Sequence, residues 1–329
     1  MTEPAQVAED IISEVSTVLV GLDDEVEYLT LSMLTRGHVL LEGVPGVAKT
    51  TLANCFARAS GLQYNRIQMT PDTLPADITG TSVYRENTGE FVIREGPVFS
   101  NVVVADEINR ATPKTQSALL EAMAEEHVSI EGDTIQLPTP FLVVATQNPI
   151  EMEGTFDLPE AQRDRFQLKV TIDLPETDTE RELLGRVDEA PTMGPEDIDA
   201  VAGPEDILSA REAIAEINSE PAVWDYILDI VAATRDHPDV EHGASPRGSL
   251  ALLETAKARA AINGRDYVLP DDVKALLHPA LRHRLLLSTE AQLSDVTTDA
   301  IIDEIRSSVN PPSGKLAEAE SAPDTPSSE

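Results

Sequence analysis

The chain is short of positive charge. Its 329 residues hold 24 Lys and Arg against 59 Asp and Glu, a formal net charge of −35. Lysine is the scarcer cation, with six residues against 18 arginines. No basic stripe is visible, which argues against tracking of nucleic-acid phosphates, a task that needs clustered cations and weakens steeply with salt. Acidity spread over the whole sequence fits a halophilic protein in a salty cytosol, where molar salt confines charge effects to about 3 Å. An acidic surface kept for a basic partner is the rival explanation.

Cysteine is nearly absent. Cys55 is the only one, so no intrachain disulfide is possible, and its helical offsets from Leu52, Phe56 and Ala59 mark a core position rather than a nucleophile. Six histidines show no metal-ligand spacing, since His278 and His283 lie five residues apart, and no structural zinc is expected. No apolar run approaches the length needed to cross a bilayer and no signal peptide is apparent, so the expectation is a cytoplasmic protein.

What the chain does hold is a phosphate-binding string. Gly43-Val44-Pro45-Gly46-Val47-Ala48-Lys49-Thr50 follows the apolar run His38 to Leu41 and precedes a helix-like stretch from Thr51 to Ala59. Such a loop wraps backbone N–H donors around nucleotide phosphates, sets a lysine against the outer ones and puts a hydroxyl on magnesium. The usual glycine before the lysine is Ala48, whose methyl group disfavours positive φ. The tight turn is therefore expected at Gly46, with Ala48 opening the helix.

Two strand tips supply further chemistry. Val102-Val103-Val104-Ala105 ends in Asp106-Glu107, where Asp106 suits a metal and Glu107 suits activation of an attacking water. Phe141 to Thr146 leads to Gln147-Asn148-Pro149; Asn148 could sense a γ-phosphate, or Asn-Pro could be an ordinary turn.

These strings together resemble the AAA+ ATPases, and more closely the MoxR family. The likeness rests on G-V-P-G-V-A-K-T at Gly43, A-D-E-I-N-R-A-T-P-K-T-Q-S-A-L-L-E-A-M at Ala105 and A-T-Q-N-P-I-E-M-E-G-T-F-D-L-P-E-A-Q-R-D-R-F at Ala145, and it spans about Val20 to Val309. It implies ATP and Mg2+ as cofactors, with Lys49, Thr50 and Thr51 at the phosphates and Thr50 and Asp106 at the metal. Val20 and Gly21 would lie against the base. Arg165 would be an arginine finger reaching a neighbouring subunit's nucleotide, with Arg163 as the other candidate. Arg247, after the helix start Ser245-Pro246, would be a lid arginine that contacts the γ-phosphate and closes the lid. The resemblance further implies a hexameric ring acting on a protein client, chaperone-like or inserting a metal cofactor, with a partner of the kind that carries a von Willebrand factor A domain. A scaffold with little turnover and a DNA-acting ring motor are the alternatives.

The expected fold is α/β: a P-loop AAA+ parallel-sheet core over residues 1–174 and a smaller all-helical lid over 205–310. Expected strands are His38–Leu41, Tyr64–Gln68, Val102–Ala105, Phe141–Thr146 and Gln167–Ile172. Segments near 77–100 and 127–140 look inserted, the second as a hairpin around Glu131-Gly132-Asp133, and both are candidates for client contact or for covering a sheet edge. The Pro- and Gly-bearing acidic stretch 175–204 is expected as a hinge and linker. In the lid, Val223, Trp224, Ile227, Ile230 and Val231 recur at helical spacing, which puts Trp224 in the core. The tail 311–329 has too few apolar groups to order itself.

Overall fold

A computed structural model describes residues 3–87, 89–149 and 155–312. Its centre is a five-stranded parallel sheet, with β1 Val39–Gly43, β2 Tyr64–Gln68, β5 Val102–Asp106, β8 Leu142–Gln147 and β9 Leu168–Ile172 in the order β2-β5-β8-β1-β9. Two antiparallel hairpins leave it, β3 Gly80–Arg85 with β4 Glu90–Glu95 and β6 His127–Ile130 with β7 Asp133–Gln136. Strand pleating sorts the side chains: Val102, Val104, Leu142 and Val144 enter one core and Val103, Ala105, Val143 and Ala145 the other. Both faces of the sheet are thus covered, which is why its strands are continuous apolar runs.

Among the described residues seven α-helices belong to this half: α1 Pro4–Ser16, α2 Asp23–Leu34, α3 Lys49–Ala59, α4 Pro75–Thr79, α5 Pro113–Glu125, α6 Glu160–Arg163 and α7 Thr177–Glu189. The lid holds α8 Pro204–Ala215, α9 Pro221–Asp236, α10 Pro246–Ile262, α11 Pro270–Ala275, α12 Leu277–Leu281, α13 Thr289–Leu293 and α14 Thr298–Ser308. It is helical except for a short antiparallel ribbon, β10 Val240–His242 with β11 Leu286–Leu287. Val7, Ile11 and Val15 of α1, Leu29 of α2 and Ile207, Leu252 and Ala256 of the lid share one apolar core. Among the described residues no helix is long and apolar enough to cross a membrane.

Two expectations need correction. The stretch 175–204 is not a bare hinge: it contains the 13-residue α7, and its end binds the core, with the Val201 and Ala202 amides on the Ala59 carbonyl at 2.9 and 3.2 Å and Arg58 paired to Glu196 at 2.7 Å. Trp224 is 46% exposed, its indole N–H donating to Ser219, because the buried stripe of α9 runs through Val223, Tyr226, Ile227 and Ile230. The β6–β7 turn is made by Glu131 and Gly132, both at positive φ (51° and 99°), the pairing that suits a tight two-residue hairpin. Of the tail, only Pro311 and Pro312 fall within the described residues.

Candidate nucleotide site

The loop between β1 and α3 opens where the chain must pass close to β9. A Cβ on Gly43 would lie 2.4 Å from the Ile172 carbonyl oxygen, so only glycine fits. Gly46 takes φ +93° with open space around it, and Ala48 takes φ +61° as the residue before α3. The expectation that Ala48 avoids positive φ is therefore overturned. Turning successive N–H groups inward to form an anion cradle outweighs a left-handed alanine, whose cost is about 1–2 kcal/mol. The Lys49 ammonium donates to the carbonyls of Gly43 and Val44 at 2.6 and 2.8 Å. Burial lowers its pKa, opposed by the nearby charges of Asp106 and Glu107.

Neighbouring strand tips complete the crevice. Thr50 Oγ1 lies 3.4 Å from Asp106 Oδ2, while the Thr146 hydroxyl donates to Asp106 Oδ1 at 2.6 Å and accepts the Glu107 N–H at 2.9 Å. Glu107 sits at φ +58°, ψ 52°, a left-handed backbone that turns its carboxylate off the strand line. Its Oε2 accepts from Arg110 Nη1 at 2.9 Å and from Gln68 Nε2 at 3.0 Å. Asn148 is buried just beyond the end of β8. Because β2, β5, β8 and β1 are adjacent, all these groups cluster at the carboxyl ends of the strands, where open α/β sheets bind ligands.

Beside the loop lies a cavity of about 310 Å³ walled by Leu19, Val20, Gly21, Ile172, Pro175 and Leu183. An apolar slot of this kind next to an anion cradle suits a planar base joined to a phosphate chain. A hydroxyl and a carboxylate 3.4 Å apart suit a hard, oxygen-seeking cation that takes its other ligands from phosphate and water, so the residues present fit a magnesium nucleotide.

Arg165 and Arg247 are elsewhere. They share a groove of about 460 Å³ with Thr35 to His38, Glu254 and Arg284. Thr35 to His38 precede β1, whereas the phosphate loop follows it. Five residues at about 3.3 Å each place the two sites roughly 16 Å apart along the strand. Arg247 thus lines a groove apart from the phosphate loop of the same chain. Asp164 accepts from Ser245 and Arg284 and anchors the α10 start to the groove floor. The Arg165 guanidinium donates to the Leu120 carbonyl at 2.5 Å, while Arg163 has a buried Nε without a hydrogen-bond partner among the described residues and is not among those lining the groove.

Missed at the level of sequence were Arg66, Gln68, Arg110 and Thr146 around the two carboxylates and Ile172, Pro175 and Leu183 in the base slot. Thr146 carried a signal, a hydroxyl at the tip of an apolar strand. The others depend on strand order and had none.

Fold and crevice together define an AAA+ ATPase. The family described as "ATPase family associated with various cellular activities (AAA)" matches residues 38–168, and the AAA lid domain matches 232–305. The chain is 44% identical over 310 residues to the chaperone MoxR1 of Mycobacterium tuberculosis, covering 92% of this chain and 81% of that one. It is also 44% identical over 301 residues to an uncharacterised Bacillus subtilis protein (92% and 93% covered) and 33% identical over 312 residues to protein MoxR of Methylorubrum extorquens (88% and 90%). A 2.00 Å crystal structure from Cytophaga hutchinsonii, described provisionally as an ATPase, superposes with a TM-score of 0.86 at 40% identity, covering 93% and 95%. The protein belongs to the MoxR family of AAA+ ATPases.

Proposed function

We propose that this chain hydrolyses ATP to ADP and phosphate with magnesium, as a ring of identical copies, six being the expected count, and that the ring remodels or matures other protein assemblies. One observation carries the reading. The loop, Asp106, Glu107 and Asn148 meet at the carboxyl ends of adjacent strands, while Arg165 and Arg247 line a separate groove, a placement that suits a nucleotide held by another copy.

In this reading the loop amides and Lys49 bind the phosphates, and Thr50 and Asp106 hold the cation. When bound, magnesium neutralises charge on the phosphate oxygens. Glu107 orients the attacking water and accepts its proton on a carboxylate oxygen, after release from Arg110 and Gln68. Asn148 donates to the γ-phosphate. Arg165 and Arg247 of the adjoining copy meet the charge that develops on the transferred group. The relative named a chaperone supports a protein client, as does the β3–β4 hairpin, which presents Val83, Tyr84 and Phe91 to solvent with the two rings 5.2 Å apart. Metal-cofactor insertion and a von Willebrand factor A partner are the narrower forms of this role.

Mixing decides it. Glu107→Gln and Arg165→Ala chains should each lose at least about a hundredfold in phosphate release, a range ordinary for a lost base or finger. Combined in one ring they should recover activity, because some sites then pair an intact Glu107 with an intact Arg165. A mixture no more active than the sum of its parts would overturn the shared site.

A further inference from the structure

The oxygen of Asp106 that faces Thr50 is already held by a cation. Oδ2 accepts from Arg66 Nε at 3.0 Å and from Arg66 Nη2 at 2.5 Å, and Oδ1 is committed to the Thr146 hydroxyl. Asp106 is thus the centre of a charge-assisted pair in which both donors converge on the one oxygen that lies toward the Thr50 hydroxyl. Arg66 rises from β2, the edge strand, and its side chain is 50% exposed against 11% for Asp106. A second acceptor is within reach, since Nη2 also donates to Gln68 Oε1 at 2.8 Å. The guanidinium can therefore leave the carboxylate without being stranded.

We propose that Arg66 is an internal counter-ion of the metal carboxylate, covering Asp106 until a divalent cation displaces it, and that it thereby sets how strongly magnesium and nucleotide binding depend on each other. The proposal rests on the magnesium–nucleotide reading of the crevice. A bare carboxylate beside a phosphate cradle repels a polyanion, and Arg66 cancels that charge. Two cations crowded onto Oδ2 repel each other, so the arriving one competes with the guanidinium. Binding energies at coupled sites are reciprocal, so a group that helps metal-free nucleotide and hinders the metal weakens the coupling between them. Without Arg66, nucleotide alone binds more weakly and magnesium restores more. A clasp that merely ties β2 to β5 would change stability and leave this ratio alone.

The test is calorimetry on the full chain in a Glu107→Gln background, with ATP titrated in EDTA and in magnesium chloride. Arg66→Gln should raise the ratio of the EDTA Kd to the magnesium Kd by about fivefold or more, in keeping with loss of a charge-assisted contact. Arg66→Lys, which keeps the charge, should stay within about twofold of the parent. An unchanged or smaller ratio in Arg66→Gln overturns the proposal. Absence of ATP binding by the parent in magnesium overturns the reading of the crevice and the proposal with it. Phenylglyoxal labelling of the unsubstituted chain, read at Arg66 by peptide mass spectrometry, needs no variant to fold. Labelling should rise when magnesium joins ATP, and no rise overturns the displacement.

Discussion

His38 shows how one side chain fixes the approach to the sheet. It is buried just before β1, with Nε2 on the Met123 carbonyl at 3.1 Å and Nδ1 on the Val143 N–H at 3.0 Å. These partners assign the tautomer: Nε2 donates and Nδ1 accepts, so the ring has no place for a second proton. Burial accordingly lowers its pKa from 6.5 to about 4. A depressed pKa means stability that is complete above the unfolded value of 6.5 and lost as pH falls toward 4. At pH 5 the unfolded chain has gained a proton that the folded chain refuses, a penalty of about 2 kcal/mol. Urea unfolding should therefore show the stability gap between the native chain and His38→Gln narrowing by about that amount between pH 7.5 and pH 5; a constant gap would mean that the buried ring accepts the proton. At this scale the phosphate loop and the Asp106-Glu107 pair were legible, because neighbours in sequence are neighbours in the site. Arg66 and Gln68 were not, since their value depends on β2 lying beside β5. Ala48 was misjudged because local preference was weighed without the loop's need to point its amides inward.

Among the elements, α7 is the one whose sequence reading was furthest from the structure. Its acidic, Pro- and Gly-flanked surroundings suggested a linker, and nothing on it is buried to mark a core stripe. It is nevertheless a placed helix. Arg186 donates to the Ser16 and Thr17 carbonyls at 2.6 and 2.9 Å, and Leu183 walls the base slot. Leu184 and Val187, at 67% and 55% exposure, form an apolar face that the described residues leave uncovered. In the proposed ring this face would be covered by the adjoining copy, because α7 borders the cavity beside the phosphate loop. Leu184→Asp should weaken self-association about tenfold or more by sedimentation velocity, as expected for an interface anchor. Its thermal midpoint as an isolated chain should barely move, since surface substitutions shift stability by about 0.5 kcal/mol at most. Unchanged association would assign the face to something other than a second copy. The sheet strands, by contrast, were legible to within about two residues, since their apolar runs are enforced by burial on both faces.

At the scale of the whole molecule, scarce cations are spent at the seams. Arg211 of α8 binds the Met33 carbonyl at the end of α2 at 2.6 and 2.9 Å, Arg259 of α10 pairs with Glu27 of α2, and Arg284 beyond α12 holds the Phe166 and Gln167 carbonyls at 2.8 and 3.0 Å. These contacts are partly or fully buried, so salt screens them little, while the surplus of acidic groups faces solvent and repels itself. The two contributions respond oppositely to ionic strength. Screening reaches about 10 Å at 0.1 M salt and about 3 Å at 1 M, so raising KCl from 0.1 to 2 M should lift the melting temperature on the order of 10 °C. Arg211→Ala should cost about 1.5–3 kcal/mol, the scale of hydrogen bonds from a charged donor, and by nearly the same amount at both salt concentrations. Calorimetric scans of the two chains at the two concentrations separate the cases. If the native midpoint is flat with salt, self-repulsion is not what the acidic surface brings to the fold, and its charge is better matched to a basic partner; if the Arg211→Ala deficit vanishes in 2 M KCl, the seam is held by screened attraction rather than by buried hydrogen bonds.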